Sequence, residues 1–82
     1  MEKSRIRWGC RRGILELDIM LCRFFDEQYD TLSPELQNDF VTLLTEEDQV
    51  LFRWLVGQFE PEDEKTKNIV QMIRETQEKN KH

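Results

Sequence analysis

The sequence predicts an all-α protein, a small compact bundle of about five short helices. Three observations point there. Apolar residues recur at helical spacing through most of the chain, with no sustained alternation of period two and no hairpin dipeptide. Proline and glycine are scarce, and each falls where a helix should start or stop. The 82 residues leave room for one domain with one modest core. A chain that short buries only about 60% of its unfolded surface, so it has little stability to spare.

Taken in order, Gly9 and Gly13 bracket a short basic segment at the start, and Gly13 suits a bend between a first short helix and a second. The stretch Ile14–Tyr29 comes next. Its Ile14, Leu15, Leu17, Ile19, Met20, Leu21, Cys22, Phe24 and Phe25 occupy more than one helix face. A helix apolar nearly all round is either central in the bundle or partly a docking surface, and the central place is expected. Ser33-Pro34-Glu35 reads as an N-cap, a proline at the first helical position and an acid in the first turn. Leu36, Phe40, Leu43 and Leu44 then line one face.

Thr45-Glu46-Glu47-Asp48 is a second start signal, with a capping threonine followed by acids. Leu51, Trp54 and Leu55 repeat the helical spacing, and Gly57 stands where that helix should end. Pro61 among Glu60, Glu62, Asp63 and Glu64 marks a third start, leading to Ile69, Val70 and Ile73. Residues 1–74 are expected to form a single helical domain, and 75–82 a polar, frayed tail.

Composition excludes several classes of function. The apolar stretches are interrupted by charge far short of the ~20 residues needed to span a bilayer, so no membrane insertion is expected. The basic start lacks the apolar core of a signal peptide, and the fold begins too early for a transit peptide. Lys3, Arg5, Arg7, Arg11 and Arg12 against Glu2 give the first thirteen residues +4, which leaves −9 of the net −5 for the rest. An acidic body would repel phosphates, so nucleic acid is not the expected partner. A basic patch that docks on an acidic protein surface fits the asymmetry better. Cys10 and Cys22 form no zinc pattern and read as free, reduced thiols of a cytosolic or matrix-like compartment.

Catalysis finds little support. The histidine of this chain is His82, on the polar tail. No serine stands near a plausible base, and no glycine-rich loop could cradle phosphates. Glu46, Glu47 and Asp48 read as helix-start charges rather than acid/base pairs or metal ligands. The chain is not expected to be an enzyme or to hold a metal.

The constellation with most content is Arg11-Arg12-Gly13-Ile14-Leu15-Glu16-Leu17-Asp18. If it is continuous helix, Arg12 and Glu16 share a face as a weak surface pair. A glycine inside a helix costs about 1 kcal/mol relative to alanine, so Gly13 needs a reason. It is either a bend or a place where a partner's backbone comes close. Trp8 beside Arg5, Arg11 and Arg12 supplies residue types common at interface hot spots. A core place sealing the first helix is nonetheless the expected role of Trp8, and Trp54 is expected in the core more firmly.

Arg12-Gly13-Ile14-Leu15-Glu16 matches the RGxxE motif, and here the sequence resembles the succinate dehydrogenase flavinylation and assembly factors of the SdhE/YgfY type. Arg5-Ile6-Arg7-Trp8, Glu16-Leu17-Asp18, Phe24-Phe25, Tyr29-Asp30, Leu32-Ser33, Phe40, Leu43-Leu44, Leu51-Phe52 and Trp54-Leu55 also look like the family pattern, which runs from about Arg5 to Ile73, most of the chain. Two departures are visible. Glu47-Asp48-Gln49 replaces a proline-containing Asp-Pro-Asp-like turn, and Arg7 stands where histidine is common.

The resemblance implies a five-helix fold and a bacterial, cytoplasmic protein, a monomer when free. It implies binding to the flavoprotein subunit of succinate dehydrogenase, or of fumarate reductase, to promote covalent attachment of FAD. Arg12, Gly13 and Glu16 would be the main contacts, flanked by Arg5, Trp8, Arg11 and Asp18. The FAD would belong to the client, with none bound stably by this chain. The alternative is a regulatory, antitoxin-like protein-binding module outside flavin metabolism.

Overall fold

A computed structural model describes residues 2–79. They form five helices and no strand: α1 (Lys3–Gly9), α2 (Leu15–Gln28), α3 (Pro34–Leu43), α4 (Asp48–Leu55) and α5 (Glu64–Lys79). A single 3₁₀ turn, Tyr29–Thr31, follows α2. No helix among the described residues is long and apolar enough to cross a membrane. His82 lies outside the described residues.

Local chemistry explains most of the boundaries. The Ser33 hydroxyl accepts from the Leu36 amide at 3.2 Å, and Pro34 opens α3 as the sequence predicts. Gly57 has φ +82° and closes α4. The Gln58 amide reaches the Arg53 carbonyl at 2.9 Å and the Gly57 amide reaches Trp54 at 3.2 Å, the paired bonds of a Schellman end. For α5, Asp63 accepts from both the amide and the hydroxyl of Thr66, at 2.9 and 3.0 Å, just before the first helical residue.

The start of α4 differs from the expectation. Thr45 does not cap it, because its hydroxyl is turned back to donate to the Thr42 carbonyl at 2.7 Å. The helix begins three residues later at Asp48, behind a Glu47 that makes no side-chain cap bond. The freed Asp48 carboxylate is used elsewhere, as described below. The chain end also differs. Helix α5 continues through Glu75–Lys79 where the sequence predicts fraying. Thr76 is buried, and Gln77 donates to the Met20 carbonyl at 3.1 Å and accepts from Arg23 at 3.0 Å.

Packing places α2 and α5 at the centre. Helix α5 lies against α2, α3 and α4, and α2 also touches α4. Leu17, Leu21, Phe24 and Phe25 of α2 follow the spacing i, i+4, i+7, i+8 and are buried. They meet Phe40 and Leu43 of α3, Leu51 and Leu55 of α4, and Ile69, Val70 and Ile73 of α5. The Phe40 ring lies 5.3 Å from that of Phe24 and 6.1 Å from that of Tyr29, centroid to centroid. Trp54 is half-buried at the edge of this core.

The short α1 is attached differently. Ile6 and Cys10 are its buried anchors. Along its side run three ion pairs to α2 and the turn after it: Lys3–Asp30 at 2.7 Å, Arg7–Asp26 at 2.8 Å and Arg11–Asp18 at 3.0 Å. Lysine and arginines at positions 3, 7 and 11 repeat every four residues, so one face of α1 and its extension carries all three.

The Arg7 guanidinium holds the Asp26 carboxyl below the usual carboxylate range, and Arg11 does the same for Asp18. A carboxyl lowered in the folded state stabilises the fold above its unfolded pKa, and that contribution is lost as pH falls through the folded pKa. The Arg7–Asp26 and Arg11–Asp18 pairs are therefore intact above about pH 4 and weaken below it. Thermal melts should show the midpoint dropping on this acid limb, and less steeply in Asp26→Asn, which has less to lose. Parallel acid limbs for the two proteins would mean that the Arg7–Asp26 pair adds nothing to stability.

Candidate protein-binding face

The link 10–14 between α1 and α2 is where the residues singled out in the sequence converge. It is not continuous helix, so Arg12 and Glu16 do not form the pair that a continuous helix would give. Arg12 is turned inward, its side chain 13% exposed, under the connection between α3 and α4. There its guanidinium donates to the carbonyls of Leu44 and Glu46 and to Asp48 Oδ1, the last at 3.2 Å. It thus satisfies carbonyls left open at the end of α3. Its Nε is buried and has no hydrogen-bond partner among the described residues.

Gly13 sits on the other oxygen of the same carboxylate. Its amide donates to Asp48 Oδ2 at 3.1 Å. The backbone there is not left-handed, and a Cβ on Gly13 would lie 3.5 Å from Asp48 Oδ2, an ordinary contact. Nothing within the chain forbids a side chain at this position. Of the two reasons open for Gly13, the bend is present, and it leaves the glycine surface exposed.

Two exposed sets of side chains flank the link. Arg5 and Trp8 lie one turn apart on α1, and Arg5 has no charge partner among the described residues. Trp8 is 74% exposed, so the expectation of a core tryptophan fails. The reason lies in the helix geometry: Ile6 and Cys10 take the inward face of α1, and Lys3 and Arg7 take the side toward α2. Trp8 is left to point outward. On α2, Leu15 is 73% exposed and Ile19 also faces solvent. Between them Glu16 is exposed and makes no hydrogen bond or ion pair among the described residues. An open groove runs from Glu16 past Ile19 and Arg23 to Val56 at the end of α4 and Arg74 and Glu78 of α5.

The basic patch expected at the N-terminus is largely neutralised. Lys3, Arg7, Arg11 and Arg12 each face a carboxylate of this same chain. What the sequence shows as +4 of free charge is mostly mortar between α1 and the body, because its partners Asp18, Asp26, Asp30 and Asp48 are remote in sequence. Asp18 belongs to that internal set through Arg11 and through the Cys22 thiol, which donates to it at 3.4 Å.

The thiols offer no nucleophile. Burial pushes Cys10 up to about 12, and its sulfur donates to the Ile6 carbonyl. Burial and the bond to Asp18 also raise Cys22. The arrangement can bind rather than react: an outward tryptophan and leucine, an unpaired carboxylate, and a glycine backbone open to close approach. Sequence reasoning passed over Leu15, Ile19 and Asp48 as contributors. The apolar residues all round α2 carried the signal for the first two, whereas nothing local distinguishes Asp48 from an ordinary helix-start acid.

Known proteins share this chain's pattern. A family described as "flavinator of succinate dehydrogenase" matches residues 4–77. A protein of a Serratia species named FAD assembly factor SdhE is 46% identical over 80 residues, which cover 98% of this chain and 90% of that protein. A protein of the same name from Pectobacterium atrosepticum is 45% identical over 73 residues, covering 89% and 83%. Another, from Vibrio vulnificus, is 55% identical over 56 residues, covering 68% and 65%.

Proposed function

The chain belongs to the family of succinate dehydrogenase flavinators, and we propose that it acts by binding the flavoprotein subunit of that enzyme while FAD becomes covalently attached there. It is an FAD assembly factor, chaperone-like and not an enzyme. The supporting observation is the outward set of Trp8, Leu15 and the unpaired Glu16 around a glycine link. Large exposed apolar side chains beside an unmatched charge are what a protein partner would cover.

On this reading the flavin and the residue that receives it both belong to the client, so the bond-forming chemistry is the cofactor's own. The groove beside Glu16 is a poor fit for FAD itself. It is open, its Arg23 and Arg74 are engaged by Gln77 and Glu60, and Glu16 and Glu78 would repel a pyrophosphate. The assembly factor would instead hold the client's domains in a competent arrangement, raising the population of the reactive geometry. Gly13 allows close backbone approach, and Glu16 supplies a directional, charge-assisted contact. Arg12, turned inward, supports this surface from behind. The location that accompanies this reading is the bacterial cytoplasm, in keeping with the bacterial relatives.

The test is covalent flavin on the succinate dehydrogenase flavoprotein, read by in-gel fluorescence in a strain lacking this protein. Wild type should restore the signal, and Glu16→Ala, which breaks no internal bond, should restore little of it. Normal flavinylation in the deletion strain would end this reading.

A further inference from the structure

We infer that Asp48, outside the RGxxE motif, is a positioning residue for the client-facing link, and this rests on the functional reading above. Both of its oxygens are committed to that link: Oδ1 to Arg12 at 3.2 Å and Oδ2 to the Gly13 amide at 3.1 Å. The carboxylate stands at the first residue of α4, a helix anchored in the core by Leu51 and Leu55. It therefore ties a solvent-exposed, non-helical segment to a rigid element. Glu16 lies three residues beyond Gly13 and inherits whatever direction the link takes into α2.

The network is not one that stability alone would select. Arg12 is largely buried with its Nε unmatched, and a mostly buried guanidinium with an open donor contributes less folding energy than a fully satisfied one. Nor is the Asp48 carboxylate spent on its own helix, whose N-cap position is held by Glu47 and carries no side-chain cap bond. Pre-organisation of a binding segment accounts for both features. A segment already held in its bound shape loses less freedom on association.

The measurement is client affinity and Gly13 amide hydrogen exchange for wild type, Asp48→Ala and a stability control, Val41→Ala, in the half-buried face of α3. Asp48→Ala should weaken binding of the purified flavoprotein subunit by about tenfold or more and speed Gly13 exchange, as expected for loss of two charge-assisted bonds. Val41→Ala, with a comparable loss of thermal stability, should bind as wild type does. Combined with Glu16→Ala, Asp48→Ala should cost less than the sum of the two single effects, because it acts through the segment that carries Glu16. If Asp48→Ala does not fold, Asp48→Asn takes its place, since it puts an NH2 donor where one of the two separate acceptor oxygens stands. Wild-type affinity in the Asp48 variant, despite faster Gly13 exchange, overturns the positioning role alone. Failure of the wild-type chain to bind the subunit overturns the functional reading and this inference together.

Discussion

Replacing Gly13 with arginine is expected to leave the helical fold intact and to abolish client binding. Three features argue for the intact fold. Gly13 lies in the link between α1 and α2, its φ is not left-handed, and a Cβ there meets only Asp48 Oδ2 at 3.5 Å. The added side chain can extend into solvent, so the thermal midpoint should move by no more than a few degrees. Binding is another matter. On the proposed reading, a long, charged side chain would stand where the client's backbone comes close, beside the Glu16 carboxylate that it could neutralise. Affinity for the flavoprotein subunit should fall at least about a hundredfold, equivalent to about 2.8 kcal/mol. Circular dichroism and calorimetric titration of the same preparation read both quantities. An unfolded variant would show Gly13 to be a structural glycine, and an unchanged affinity would remove the link from the interface.

Phe40→Ala is expected to act in the opposite way, by emptying the core without touching the binding face. Phe40 is fully buried and its ring meets those of Phe24, Phe25 and Tyr29. Truncating such a phenylalanine costs about 3–5 kcal/mol. A chain of this length has a total stability of about 4–12 kcal/mol, so much of it would go. The midpoint of thermal unfolding should drop on the order of 20 °C. Flavinylation in cells should fall with the abundance of the folded protein, and overproduction should recover part of it, as it cannot for Gly13→Arg. A midpoint within a few degrees of wild type would mean that the aromatic cluster is not the centre of the core.

The two variants separate what was legible in the sequence from what was not. Phe40 was legible: it stands in a stripe with Leu43, behind a serine cap and a first-turn proline, and local rules suffice to bury it. The Arg12–Glu16 segment stood out through its motif, and Gly13 through its cost in a helix. The direction in which the side chains of that segment point was not. Trp8 looked like a core residue and faces solvent, because Ile6 and Cys10 already fill the inward face of α1. Arg12 and Glu16 would be partners only in a continuous helix; here one turns inward and the other out, because α2 begins after Gly13.

Helix content, most helix ends and the principal core residues follow from the sequence by itself, since capping, periodicity and glycine or proline geometry act within a few residues. Charge pairing and exposure around the link follow from the tertiary structure alone. Lys3, Arg7, Arg11 and Arg12 find Asp30, Asp26, Asp18 and Asp48 across 27, 19, 7 and 36 positions of chain. Electrostatic partners are chosen by distance in space, so charges that read as a free basic patch became the attachment of α1. Glu16 remained the unmatched charge beside the glycine because the fold pairs no cation with it among the described residues.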